Sequence, residues 1–141
     1  MNQSSFGGRI VHVAVQAADL EATTAMYRDL FGFRYLKTLR KETLTSVWLF
    51  DGAIFLSVVQ YHTDATAESR ALPRTPCFHH LGLEADRPFE CAKALLESGS
   101  TLLSGEGDIP IKFLTPEKTM IEIAGHGYFR DRFVGQQIAE A

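Results

Sequence analysis

Only two of the 141 residues are cysteines, Cys77 and Cys91, and they form no CxxC pair. A disulfide scaffold and a cysteine zinc site are both excluded, and two free thiols in a reducing cytoplasm are expected. No apolar run reaches the ~18 residues that a membrane helix requires, so no transmembrane segment is expected. Residues 1–8 are polar and lack the basic stretch and apolar core of a signal peptide. Positive charge is not in excess: the formal net charge is −3 at pH 7, which argues against nucleic acid as the main partner. What is present is ordinary globular composition, 45% apolar and 22% charged, sufficient for one domain with a real core.

The chain repeats itself at long period. The first copy opens with Arg9-Ile10-Val11-His12-Val13-Ala14-Val15, an apolar run rich in β-branched residues that reads as a strand. Asp19 follows as a helix N-cap, with Glu21 in the first turn. Leu20, Thr23, Met26, Tyr27, Leu30 and Phe31 then fall near helical spacing up to Gly32, a natural stop. Strand-like stretches occupy 33–37, 45–50 and 53–60, and Asp51-Gly52 predicts a two-residue hairpin between the last two. The second copy opens with Cys77-Phe78-His79-His80-Leu81-Gly82-Leu83. It continues with Asp86 as N-cap, Pro88 in the first turn, and a stripe of Phe89, Ala92, Leu95 and Leu96 that ends at Gly99. Strands at 101–104, 109–114 and 119–124 complete it. The interval from His12 to Gly32 matches that from His80 to Gly99 to within one residue. Each copy reads strand, helix, strand, strand, strand. Residues 1–141 therefore make a single domain: module one at about 9–60, a polar connector at 61–76, module two at about 77–127, and a tail at 128–141.

Strand side chains alternate between two faces. Val11, Val13 and Val15 are assigned to the helix side of the first strand, which leaves His12 opposite with Ile10, Ala14 and Gln16. By the same parity His79 joins Leu81 and Leu83 on the helix side, and His80 lies opposite with Phe78, Gly82 and Glu84. In the last strand Ile121 and Ile123 face the helices and Glu122 faces away. A lone strand histidine is more often a satisfied core residue, and a lone glutamate a solvated one. Two repeat-related histidines with one carboxylate are instead a ligand set for a borderline divalent ion (iron(II), manganese, cobalt, nickel or zinc), with coordination positions left open.

The stretches HVAVQAADLEATTAMYRDLFGF at 12–33, HHLGLEADRPFECAKALLESG at 79–99 and TPEKTMIEI at 115–123 resemble the vicinal oxygen chelate superfamily. That superfamily includes glyoxalase I, methylmalonyl-CoA epimerase, fosfomycin resistance enzymes, extradiol dioxygenases and bleomycin resistance proteins. The resemblance implies an α+β fold: two βαβββ modules forming a cupped mixed β-sheet with helices outside. It implies a metal on the concave side held by His12, His80 and Glu122, and a homodimer whose site lies within one chain or across two. Glyoxalases and epimerases of this type carry a fourth ligand, Glu or Gln, on the last strand of the first module. The matching stretch here is Ile54-Phe55-Leu56, with Phe55, Ser57 and Val59 facing the cup. Gln60 serves only if a β-bulge turns it inward.

A three-ligand set resembles the extradiol dioxygenases and the fosfomycin resistance enzymes. The first resemblance implies iron(II), a substrate with vicinal oxygens, and ring cleavage with O₂. The second fits less well, because Lys112, Arg34 and Lys37 form no clear anion cluster while Asp64 and Glu68 in the connector would repel a phosphonate. Glyoxalase-type lyase or isomerase chemistry is the alternative. A protein of bleomycin-resistance type that only binds a small molecule or drug is the second alternative. Tyr128 and His126 are candidate acid–base groups, with His62 behind them. Trp48, Phe55, Ser57 and Phe113 are the expected substrate-lining residues. The expected partners are a small molecule and a second copy of the chain, with no nucleic acid and no membrane, in the cytoplasm.

Overall fold

The computed structural model describes residues 5–133. In chain order it contains β1 (Arg9–Gln16), α1 (Leu20–Ala25), β2 (Arg34–Arg40), β3 (Leu44–Phe50), β4 (Phe55–Tyr61), α2 (Ala67–Ala71), β5 (Cys77–Ala85), α3 (Pro88–Glu97), β6 (Thr101–Leu102), β7 (Ile111–Leu114), β8 (Met120–Gly125) and α4 (Tyr128–Arg132). The Asp19 carboxylate caps α1, accepting from the Ala22 amide at 2.9 Å, and the helix runs on as a π-helical stretch over Met26–Leu30. Gly32 and Gly99 adopt φ 73° and 102° after the two long helices, a region open to glycine without Cβ strain.

All eight strands form one mixed sheet in the order β2-β3-β4-β1-β5-β8-β7-β6. Within each module the first and last strands are parallel neighbours, β1 with β4 and β5 with β8. The two opening strands pair antiparallel at the centre. The fold is the α+β pair of βαβββ modules expected. On the helix side, α1 covers Val47, Leu49, Leu56 and Val58 with Val13, Val15 and Leu20. α3 covers Ile111, Phe113 and Ile123 through Cys91, Ala92 and Leu95. No described helix is long and apolar enough to cross a membrane.

Several local expectations need correction. Asp51 and Gly52 belong to a four-residue turn, because Asp51 Oδ1 accepts from the Ala53 and Ile54 amides and sets a wider loop. Asp86 does not cap α3; Arg87 is the N-cap in left-handed conformation. The connector is not wholly irregular, since Thr66 and Ser69 form a capping box that starts α2. Two irregularities break strict alternation. The β1–β5 register shifts between Ile10 and His12, and Val11 joins the cluster of Trp48, Phe50, Phe55 and Phe129 on the concave side rather than the helix-side core. A second shift lies between Ala14 and Val15, opposite Phe78–His80. His79 and His80 are both buried, at 2% and 5% exposure, while Phe78 is 55% exposed. The parity that placed Phe78 beside His80 fails there.

The start of the tail is not an exposed segment. Glu84, buried in β5, accepts from the Gly127 amide at 3.0 Å and the Phe129 amide at 3.1 Å. This holds the first turn of α4 against the concave face, where Phe129 and Phe133 are fully buried. The rest of the tail, 134–141, lies outside the described residues.

Candidate metal centre

His12, Gly82 and Glu122 form one row across three strands: His12 pairs with Gly82, and Gly82 with Glu122. Two side chains can meet across an intervening strand only if the residue between them leaves room. A Cβ on Gly82 would lie 2.6 Å from both Cβ and Nδ1 of His12. The glycine thus opens the slot in which His12 Nδ1 meets Glu122 Oε1 at 2.8 Å. His80 brings Nε2 to 3.4 Å from the same oxygen. One donor atom from each of the three residues lies within 4.8 Å of the others, and a single chain supplies them all.

The surroundings fix these side chains. His12 Nε2 is 3.1 Å from Ser57 Oγ, and its ring stacks on Trp48 with centroids 4.5 Å apart. His80 Nδ1 is 2.8 Å from His79 Nδ1. Burial pushes His12 below the usual imidazole range, against the opposing pull of Glu122. Burial acts to raise Glu122, but the nearby His80 ring and the hydrogen bond with His12 outweigh it and hold the carboxyl well below its ordinary value. Burial, and then His80, lowers His79 to about 4. Neutral imidazoles around an ionised carboxylate are the protonation states in which these groups bind a divalent cation. His80 Nε2 is buried without a hydrogen-bond partner among the described residues, and a cation would satisfy it. The residues fit a metal.

The three residues lie at a cavity of about 290 Å³ that Ser46, Trp48, Ser57, Lys112 and Tyr128 also line. Lys112 sits opposite Glu122 in the β7–β8 pair. Its ammonium is 2.7 Å from Glu68 Oε1, and Glu68 also accepts from the Tyr61 hydroxyl. Burial would raise Glu68, but the Lys112 charge and hydrogen bond outweigh it, and the carboxyl is lowered. Burial would lower Lys112, and Glu68 reverses that. The connector helix α2 is therefore tied to the cavity wall by a charged pair.

The family model for the Glyoxalase/Bleomycin resistance protein/Dioxygenase superfamily matches residues 9–132. The chain belongs to this superfamily. Among solved structures, it resembles 4-hydroxymandelate synthase from Streptomyces coelicolor (TM-score 0.71, 16% identity), covering 85% of this chain but 39% of that one. A hypothetical protein from Bacillus halodurans C-125 gives TM-score 0.67 at 10% identity over 83% of this chain and 93% of that chain. Methylmalonyl-CoA epimerase from Mycobacterium tuberculosis gives 0.65 at 16% identity over 87% and 90%. These likenesses establish the fold. No curated protein matches the chain by sequence.

Within this superfamily frame, the expected lining residues divide. Trp48, Ser57 and Tyr128 line the cavity, and the Tyr128 hydroxyl donates to the Ile109 carbonyl at 3.3 Å. Phe55 does not, because α4 fills that end of the cup and packs Phe55 against Phe50, Phe129 and Phe133. Phe113 is on the opposite face in the α3 core, since Lys112 takes the concave position of β7. His126 points away and pairs with Asp86 at 3.0 Å on the exposed surface. His62 bonds to Thr45 at an exposed site. Gln60 donates to the Ala18 carbonyl at 2.7 Å beside α1 and is not turned inward. Sequence reasoning missed Gly82 and the pair of Lys112 with Glu68, and put His79 on the helix side of β5, whereas its ring meets His80. The Ile-Lys-Phe alternation of β7 carries a signal for Lys112; the connector carries none for Glu68.

Proposed function

We propose that this chain is a divalent-metal enzyme acting on a small molecule with two adjacent oxygen atoms, and that its reaction is ring-cleaving oxygenation of extradiol type. One observation carries the specific reaction: the ligand set stops at three. In the strand register the position equivalent to Glu122 in module one is Ser57, since Ala14 pairs with Ser57 as Gly82 pairs with Glu122; it offers a hydroxyl bonded to His12 in place of a carboxylate, and Gln60 faces the other side of the sheet. A three-ligand site leaves room for a bidentate substrate and one further small molecule. His12, His80 and Glu122 would hold the ion, iron(II) in this reading, which supplies Lewis acidity and redox chemistry with O₂.

The chain's own residues do the rest. Ser57 and Trp48 fix the His12 ring, and Phe129 screens it from water at a centroid distance of 5.1 Å. Lys112 holds a positive charge on the wall beside Glu122, placed to steady an anionic substrate oxygen. Glu68, kept ionised, can accept a proton, and the Tyr128 hydroxyl lines the same space. Glu68 also favours the second reading, a glyoxalase-type lyase or isomerase, in which a buried carboxylate takes a proton from substrate carbon.

The test is elemental analysis of protein purified anaerobically without chelators, with His80→Ala in parallel, followed by O₂-uptake assays on catechols. About one equivalent of iron, lost in the variant, with catechol-dependent O₂ uptake, supports the oxygenase. Nickel, zinc or cobalt without O₂ uptake favours the second reading. No metal even after reconstitution leaves a small-molecule binding protein.

A further inference from the structure

The charges around the cavity do not cancel locally. Lys41, Lys112 and Arg132 line it, as do Glu68, Asp108 and Glu122. Glu122 is committed to the two histidines and Glu68 to Lys112. Asp108 accepts from the Gly105 amide at 3.0 Å within its own turn. Neither Lys41 nor Arg132 has an acidic partner among the described residues. Both are exposed, so they stand at the mouth rather than the floor.

Arg132 is nonetheless held in place. Its guanidinium lies 4.9 Å from the centroid of the Trp48 ring, and Trp48 stacks on His12. It rides on α4, which Glu84 caps and which Phe129 and Phe133 anchor in the core. Lys41 is in the turn after β2, closed by its amide donating to the Leu44 carbonyl at 2.8 Å. A planar, pre-positioned guanidinium whose N–H groups bond none of the described residues is suited to a carboxylate. Stacking on an aromatic ring occupies its face and leaves its edges open.

We infer that the mouth of this cavity is a carboxylate subsite formed by Arg132 with Lys41, and that the substrate is an acid. Its carboxylate sits at the mouth and its adjacent oxygens point to His12, His80 and Glu122. The oxygen-bearing end rests on the metal reading above; the carboxylate end does not. Trp48 lies against both, 4.9 Å from the Arg132 guanidinium and 4.5 Å from the His12 ring, so a single aromatic ring with a short acid side chain is the probe that tests the span.

Trp48 is the only tryptophan of the chain, so its fluorescence reports occupancy. The full-length chain is titrated with phenylacetate and with its neutral isostere phenylacetamide, both chelator-treated and zinc-loaded. The subsite predicts about tenfold tighter binding of phenylacetate in both forms. Arg132→Gln should abolish that preference through loss of phenylacetate binding, with the fold intact by circular dichroism, and Lys41→Gln should reduce it. Equal affinities in the parent protein, a preference that survives Arg132→Gln with Lys41→Gln, or no phenylacetate signal overturns the inference. Zinc binding, measured separately by calorimetry, tests the triad. Its failure beside an intact carboxylate preference would refute the metal reading alone.

Discussion

Replacing His79 with phenylalanine should weaken metal binding by about 10- to 100-fold without unfolding the protein. The magnitude follows from tautomers. His80 presents Nε2 toward Glu122 Oε1 at 3.4 Å and Nδ1 toward His79 at 2.8 Å. If a neutral His80 ligates a cation through Nε2, its single proton must be on Nδ1. His79 Nδ1 is then the acceptor, and the His79 proton is on Nε2, which has no partner among the described residues. His79 is neutral at physiological pH, as burial lowers it to about 4. Phenylalanine fills the space beside Tyr61, whose ring centroid is 5.3 Å from that of His79, but offers no acceptor. The ligating tautomer then carries a buried, unpaired N–H at a cost of about 1–3 kcal/mol, and each ~1.4 kcal/mol is tenfold in affinity. Competition titration of zinc against a chromophoric chelator measures this directly. His79→Asn, whose amide oxygen can replace Nδ1 as acceptor, should recover most of the loss. Parent-like affinity in His79→Phe, or equal weakening in His79→Asn and His79→Phe, would refute the tautomer argument and leave His79 a packing residue.

Gly82→Ala should abolish zinc binding and lower stability by about 1–3 kcal/mol, because its Cβ would meet His12 at 2.6 Å; denaturant melts and the same titration check both. Glu68→Gln should destabilise by about 1–3 kcal/mol at neutral pH, as it leaves Lys112 charged and poorly paired. The Glu68 carboxyl is lowered in the folded protein, so its contribution is fully present above the unfolded carboxylate value of about 4.3 and fades as pH falls through the folded value. Stability measured from pH 7 to pH 3 should therefore drop less steeply in Glu68→Gln than in the parent, and parallel curves would count against the pair. Glu84→Ala should cost about 1–3 kcal/mol by orphaning the Gly127 and Phe129 amides, and hydrogen exchange should accelerate across α4 first.

The repeat was legible because each copy spells out its own punctuation: Asp19 and Gly32 in one, Pro88 and Gly99 in the other. His12 and Glu122 were legible because each is a polar residue set between apolar neighbours in a strand. Parity failed where the backbone shifts register. Val11 and His79 both sit at irregularities in the central β1–β5 pair, and an alternation rule cannot see an extra residue in a ladder. Phe55 was misread for another reason: its face was right, but α4 came back to cover it, and that contact joins residues about half the chain apart. Glu68 was read as a connector carboxylate that would repel a phosphonate, because its partner Lys112 is brought to it only by the fold.

The helix that hid Phe55 also decides what the site can do. Without α4, the concave face would be one open trough from Phe50 to Lys112. Phe129 and Phe133 fill one end with aromatic rings packed on Trp48 and Phe55. Water is thereby removed from one flank of His12, while serines, Lys112 and Glu68 keep the other flank polar. The remaining space, about 290 Å³, is at the small end of ligand pockets, which run from roughly 300 to 1,000 Å³. The dry flank strengthens every charge interaction at the triad, and among the described residues the polar flank is the side on which the cavity lies. Arg132 leaves the last turn of the same helix to stand over that cavity. One short helix, held by a single buried carboxylate, therefore sets the volume, the dielectric and the charge at the entrance, and loosening it through Glu84 should change all three together.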